Sequence, residues 1–338
     1  MPDHTITPPA GGAQSAAAPP APVGEPAVGR RFNIPNSAAL LVFLVVEVVF
    51  FATQSPFFFN WDNWTNILTA LSVVGVISCG MTILLVAGQF DLSVGSGVAF
   101  GGLVLAKVAP EQGMTVAVLA AIAAGIAIGL INGFFVTVVG VNALITTLGT
   151  LAVFRGLTLA IGEGQNIAVD GIGWGIQRPL FDIPVTVLVF VVAAVLTGLV
   201  LTFTTYGRTL FAIGSNAVAA RLVGLRVPRT LFLAFVVSGL CMAVAALMNT
   251  SLVGSTSGNT GAGLELAAIT AVILGGTSLA GGTGSMTGTV LGLLIVGVLA
   301  NGLTLMNVAS AWQQVATGTL LILAVSFDRL RQNFIKET

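Results

Sequence analysis

Charge is what this chain has least of. Only 7% of its 338 residues are Asp, Glu, Lys or Arg, against about 25% in an ordinary soluble domain. A soluble protein of this size could not cover its surface with so few charges. With 56% of the residues hydrophobic, lipid is the natural solvent. The net charge of zero says little, because membrane proteins are read by where charge sits. His4 is the single histidine, which argues against a His-rich metal site and against a Ser-His-Asp triad. No catalytic or metal-ligating residue is expected. Cys79 and Cys241 both lie inside apolar runs and read as packing residues rather than a disulfide or metal pair. The only lysines are Lys107 and Lys336, and neither follows a glycine, so the phosphate loop G-x-x-x-x-G-K-[ST] is missing. Nor is there a soluble stretch long enough for a nucleotide-binding domain. If ATP drives this protein, another chain must hydrolyse it.

What the chain has instead is long apolar runs and 42 glycines. Small residues let helix backbones approach closely where lipid supplies no hydrophobic drive. Ten spans are expected: 37–54, 65–88, 94–109, 114–139, 143–161, 183–204, 230–253, 263–281, 285–305 and 309–327. The fold class is therefore an all-α polytopic membrane protein. The runs 94–109 and 263–281 are short or interrupted by glycine and are candidates for broken or half-crossing helices, and paired interrupted segments point to a transport site. Residues 1–36, rich in Pro, Ala and Gly, read as a disordered tail. Residues 37–328 form the transmembrane domain and 329–338 a C-terminal tail.

Charge placement sets the orientation. Arg30 and Arg31 precede the first run, and Arg329, Arg331 and Lys336 follow the last, so both termini are expected in the cytoplasm. Ten crossings then place loop 205–229 inside. That loop carries Arg208, Arg221, Arg226 and Arg229, and no acid lies between Asp182 and Glu265. The same parity puts 55–64 outside, with Phe57, Phe58, Phe59, Trp61 and Trp64 as an interfacial aromatic belt. Asn132-Gly133 and Asn301-Gly302 stand 169 positions apart, as do Gly149-Thr150-Leu151 and Gly318-Thr319-Leu320. With five spans each, two inverted halves would result. LLVAGQFDLSVGSG (84–97) also loosely echoes VILGGTSLAGGTGS (272–285).

Several polar positions stand out. Asp91, within Gly88–Ser96, either lines a pathway at a helix break or caps the next span. Arg155 is an intramembrane functional suspect, snorkels outward, or pairs with Glu163 or Asp91. Glu47 reads as a helix–helix contact, and Glu265 as an acid favoured by the dipole of a helix start. Asn132, Asn142, Thr146, Asn301, Gln313 and Gln314 are neutral hydrogen-bonding groups that suit a polyhydroxylated solute or bond between helices. In the basic loop, Ser215 or Asn216 can cap a short helix that runs to Arg221 and ends at Gly224.

Five ordered motifs give these features a common origin. Gly88–Ser96, Thr147–Thr150 with Arg155–Leu157, Gly214–Leu225, Glu265–Ser285 and Trp312–Val315 together resemble the permease of ribose-type sugar importers of the ATP-binding-cassette superfamily. The resemblance covers about 37–328. Gln89 replaces a glycine of the family's pattern and Ala267 an aspartate, which leaves the solute open. The resemblance implies a permease of the bacterial inner membrane, itself not an enzyme and holding no cofactor, with ATP and Mg on a partner ATPase. It implies a homodimer or paired permease, cytoplasmic ATPase subunits, an extracytoplasmic binding protein delivering a monosaccharide or polyol, contact with membrane lipid, and no nucleic acid. Ser215, Asn216, Ala219, Arg221 and Gly224 are assigned to ATPase coupling on this basis. Gln89, Asp91, Ser93, Asn132, Thr146 and Thr277 are candidates for the substrate pathway. The rival readings are an ion-coupled secondary transporter, disfavoured by few central acids and no intramembrane histidine, and a membrane-embedded enzyme.

Overall fold

The structure is a computed structural model that describes residues 36–336. The expected tail over 1–36 lies outside the described residues except for Asn36. In chain order the helices are α1 (Asn36–Gln54), α2 (Trp61–Val86), α3 (Val94–Gln112), α4 (Met114–Phe134), α5 (Ala143–Ile161), α6 (Val185–Phe203), α7 (Thr205–Ser215), α8 (Ala217–Leu222), α9 (Val227–Val253), α10 (Leu264–Leu274), α11 (Met286–Leu305) and α12 (Ser310–Lys336). A π-helical turn, Phe135–Val139, extends α4. The protein is thus an all-α polytopic membrane protein. Among the described residues, six helices are long and apolar enough to cross a membrane: α2, α4 with its extension, α5, α6, α9 and α11.

Helices α2 and α9 form the centre and pack on each other. Polar residues are tolerated in α2 because each hydroxyl is satisfied by its own helix. Ser78 Oγ donates to the Val74 carbonyl at 2.8 Å and Thr82 Oγ1 to Ser78 O at 2.6 Å. Thr82 also reaches Thr289 of α11, with their hydroxyl oxygens 2.9 Å apart. Helices α4 and α9 approach closely backbone to backbone. A Cβ on Gly129 would strike the Phe235 carbonyl oxygen, and one on Gly239 would fall 2.5 Å from the Gly125 carbonyl oxygen. Only glycine permits backbones this close.

The two suspect spans differ. Helix α3 continues three residues beyond the expected 109, whereas α10 stops at Leu274 after 11 residues. At 1.5 Å per residue α10 is about 16 Å long, roughly half a hydrocarbon core. Expected span 263–281 is therefore a half-length helix followed by a glycine-rich loop, because Gly275-Gly276 ends the helix, Gly276 at φ +88°. Both α3 and α10 follow non-helical segments, and their N-termini abut: a Cβ on Gly261 would lie 2.6 Å from the Gly95 carbonyl oxygen. Helix α3 packs on α4, α5 and α9, while α10 packs on α11, α12 and α2.

The expected loop 205–229 is itself helical: α7 and α8 fill it, and its last three residues are the first turn of α9, where Pro228 suits the helix start. A two-residue ribbon joins β1 (Ile167–Ala168) to β2 (Ser255–Thr256), antiparallel, with Ile167 opposite Thr256. In the aromatic segment, Phe57, Phe59 and Trp61 are exposed, but Phe58 is fully buried against Phe51, Val298 and Trp64. Phe58 therefore packs α1 against α11 rather than joining a surface belt.

Candidate functional site

Helix α2 ends in a paired backbone cap. Gln89 N donates to Leu84 O and Gly88 N to Leu85 O, both at 2.9 Å, with Gly88 at φ +71°. This stop turns the chain through Gln89 and Phe90 and delivers Asp91 to the interior, where it is 0% exposed. One carboxylate oxygen, Oδ1, accepts from Ser93 N at 3.0 Å, from Ser93 Oγ at 2.6 Å and, at 3.4 Å, from Asn132 Nδ2 of α4. The other, Oδ2, accepts from Ser238 Oγ of α9 at 2.9 Å. Asn132 Nδ2 also donates to Ser93 Oγ at 2.9 Å, and Thr150 Oγ1 of α5 donates to Asn132 Oδ1 at 2.8 Å. A buried acid in hydrocarbon needs such partners. The result is a closed polar lock tying the entry to α3 to α4, α5 and α9.

Of the expected pathway residues, Asp91, Ser93 and Asn132 meet in this lock. Thr146 lies one turn from Thr150, which also bonds the Thr146 carbonyl at 3.2 Å. The Thr146 hydroxyl is buried without a hydrogen-bond partner. Gln89 is half-buried at the turn. Thr277 stands apart, in the glycine-rich loop after α10, with its hydroxyl also unpartnered. Two lock members were not singled out from sequence as site residues, Ser238 and Thr150. Thr150 belongs to the quoted Thr147–Thr150 motif. Ser238 carries only the faint signal of a Ser-Gly pair inside an otherwise apolar run.

Arg155 bonds neither Glu163 nor Asp91. Its Nη1 donates to the carbonyls of Gly258 at 2.6 Å and Thr260 at 2.7 Å, clamping the segment that descends to α10. Glu265 lies close enough to Arg155 to interact electrostatically. Glu265 Oε1 accepts from Gly263 N at 3.2 Å, and its Oε2 packs against Gly95 without a partner. The junction of α3 and α10 is thus flanked by the Asp91 lock on one side and the Arg155 clamp on the other. Glu47 is buried in α1 beside a cavity of about 330 Å³ lined by residues of α11 and α12, including Ile295, Leu299 and Leu320. Asn301 exchanges two hydrogen bonds with Asn63, of 2.8 and 3.1 Å.

A second constellation lies in α7 and α8. Thr204 caps α7 through a hydrogen bond from Gly207 N at 3.1 Å. Asn216 caps α8, its Oδ1 accepting from Val218 N and Ala219 N, each at 3.0 Å. Helix α8 stops at Gly224, φ +84°: Leu225 N reaches Ala220 O and Gly224 N reaches Arg221 O, both at 3.0 Å. These caps, written in the residues Asn216 and Gly224, fix a helix of only six residues. Ser215, Asn216, Ala219, Arg221 and Gly224 are all exposed on this arm. Beside them Val218, Leu222 and Val223 are 68%, 83% and 76% exposed. Tyr206 anchors the arm by donating to the Thr230 carbonyl at 3.2 Å, and burial raises its phenol above the ordinary range.

A polytopic helical bundle in which two helices, α3 and α10, follow non-helical segments, and which carries a capped basic arm, has the make-up of a membrane transport protein. Comparison with known proteins agrees. The family described as "branched-chain amino acid transport system / permease component" matches residues 63–325. The L-arabinose transport system permease of Escherichia coli K12 is 36% identical over 299 residues, covering 87% of this chain and 90% of its own length. The ribose import permeases of E. coli K12 and Bacillus subtilis 168 are each 37% identical, over 86% and 85% of this chain and 93% and 90% of theirs. The chain belongs to this family of ATP-binding-cassette transporter permeases.

Proposed function

We propose that this protein is the membrane subunit of a binding-protein-dependent importer in the bacterial inner membrane, passing a monosaccharide or related polyol inward while a separate cytoplasmic ATPase supplies the energy. The observation that carries this reading is the arm of α7 and α8: three large apolar side chains and an arginine exposed on a helix fixed at both ends. Such a surface fits a docking cleft on a partner, and ATP-driven closure of that partner would push it. Ten crossings, with both termini inside, would present the arm to the cytoplasm. The swap of neighbours between α3 and α10 supports two related halves of five spans each, with α3 answering to α10. A homodimer or paired permease would complete the channel. Neutral polar side chains such as Asn132, Thr146 and Thr277 suit a solute whose hydroxyls need hydrogen bonds rather than counter-charges.

Proteoliposomes containing the permease, its ATPase and its binding protein test this. Uptake should require ATP and persist when ion gradients are dissipated; uptake abolished by an ionophore in the presence of ATP would indicate a secondary transporter instead. Arg221→Glu should release the ATPase while the permease stays folded, and normal co-purification with normal uptake would refute the docking role.

A further inference from the structure

The arm does not end at its own helices. At the close of α7, Gly214 lies against the carbonyl oxygen of Val86, the last residue of α2, and a Cβ there would sit 2.5 Å from Gly282 N. Gly282 N in turn donates to Val86 O at 2.9 Å. A Cβ on Gly281 would lie 2.8 Å from Gly88 N and 2.9 Å from Gly214 Cα, and one on Gly282 would lie 2.6 Å from Ser215 Oγ. Gly281 and Gly282 have φ of +86° and +79°, a conformation that side chains other than glycine rarely adopt. Three chain segments therefore meet backbone to backbone: the end of α2, the hinge between α7 and α8, and the loop joining α10 to α11. At Gly214 and Gly281 the nearest neighbours are all backbone atoms, which cannot swing aside as the tip of a side chain can.

Two short routes leave this junction. Gly88 is three residues from Asp91 and so from the polar lock at the start of α3. The glycine loop continues directly from α10, whose other end abuts Gly95 of α3. We propose that Gly214, Gly281 and Gly282 are positioning residues that transmit movement of the α7–α8 hinge to the interrupted helices α3 and α10. This rests on the coupling role given to the arm above. The test therefore reads coupling itself, as transport against hydrolysis.

Gly214→Ala is introduced into the full permease–ATPase complex, reconstituted with the binding protein in proteoliposomes. The complex should still assemble and hydrolyse ATP within about twofold of wild type, while solute moved per ATP falls about tenfold. Gly149→Ala, whose Cβ would meet nothing within 4 Å, is the control and should leave the ratio unchanged. Should Gly214→Ala fail to assemble, Gly282→Ala thickens the same contact from the glycine loop, where its Cβ would fall 2.6 Å from Ser215 Oγ, and should show the same split. Wild-type transport per ATP in an assembled Gly214→Ala or Gly282→Ala complex overturns the proposal, as does a parallel loss of hydrolysis and uptake. If the wild-type complex itself takes up solute without ATP, the functional reading fails rather than the junction.

Discussion

Asp91 offers the sharpest quantitative test, because its carboxylate and its charge can be removed separately. Asp91→Ala deletes both carboxylate acceptors of the lock. Ser238 can turn its hydroxyl to the carbonyl one helical turn back, and Asn132 keeps its bond to Ser93 Oγ, 2.9 Å away. The Ser93 amide has no such substitute and remains buried and unpaired beside a small cavity. A buried unsatisfied donor costs about 1–3 kcal/mol, and with the lost side-chain volume the substitution should cost about 2–4 kcal/mol. Asp91→Asn is different. Its amide oxygen can take the place of Oδ1 and accept from Ser93 N and Oγ, and its NH₂ can donate to a reoriented Ser238 hydroxyl. That loss should stay under about 1 kcal/mol. Apparent melting of the purified protein in detergent, followed by uptake in proteoliposomes, separates the cases. A large drop is expected for Ala and a small one for Asn. Equal melting of Asp91→Ala and wild type, or equal damage from Ala and Asn, would refute the hydrogen-bond account. If Asp91→Asn melts like wild type yet fails to transport, the charge acts in transport beyond holding the lock.

Arg155→Met should free the segment 257–263, because it strips two charge-assisted hydrogen bonds worth about 1.5–3 kcal/mol each; faster amide exchange there, with α4 and α9 unchanged, would confirm the clamp. Asn216→Ala should cost about 1 kcal/mol of helix-capping energy, felt as weaker ATPase co-purification rather than as a lower melting temperature, since α8 touches little of the core. Gly239→Leu should prevent folding, because its side chain would enter the backbone of Gly125 and Gly129; a folded, active variant would show that α4 and α9 can separate.

How far the sequence can be read depends on the range of the interaction involved. The helices follow from long apolar runs, and the ends of α8 follow from Asn216 and Gly224, because caps are written within a few residues. The same locality explains the echo between 84–97 and 272–285. Both stretches end a helix with the same paired cap, Gly88-Gln89 against Leu85 and Leu84, and Gly276-Thr277 against Ile273 and Val272. Their separation is not the 169 positions that relate Asn132 to Asn301, so the likeness reports a shared way of stopping a helix rather than that repeat. The partners of Asp91 and Arg155 were not legible. Ser238 lies 147 positions from Asp91, and the carbonyls held by Arg155 lie 103 and 105 positions away. Backbone acceptors leave no trace in residue identity, so residue type points from Arg155 to acids such as Glu163 or Asp91 and never to these two carbonyls. The same blindness hid the meeting of Gly214 with Gly282. A glycine that permits a turn and a glycine that admits another backbone look identical in sequence, and only the second connects the arm to the interior. In this bundle the long-range order is carried by what small residues allow to come close, so tests of mechanism belong at Gly214 and Gly282 as much as at the charged positions.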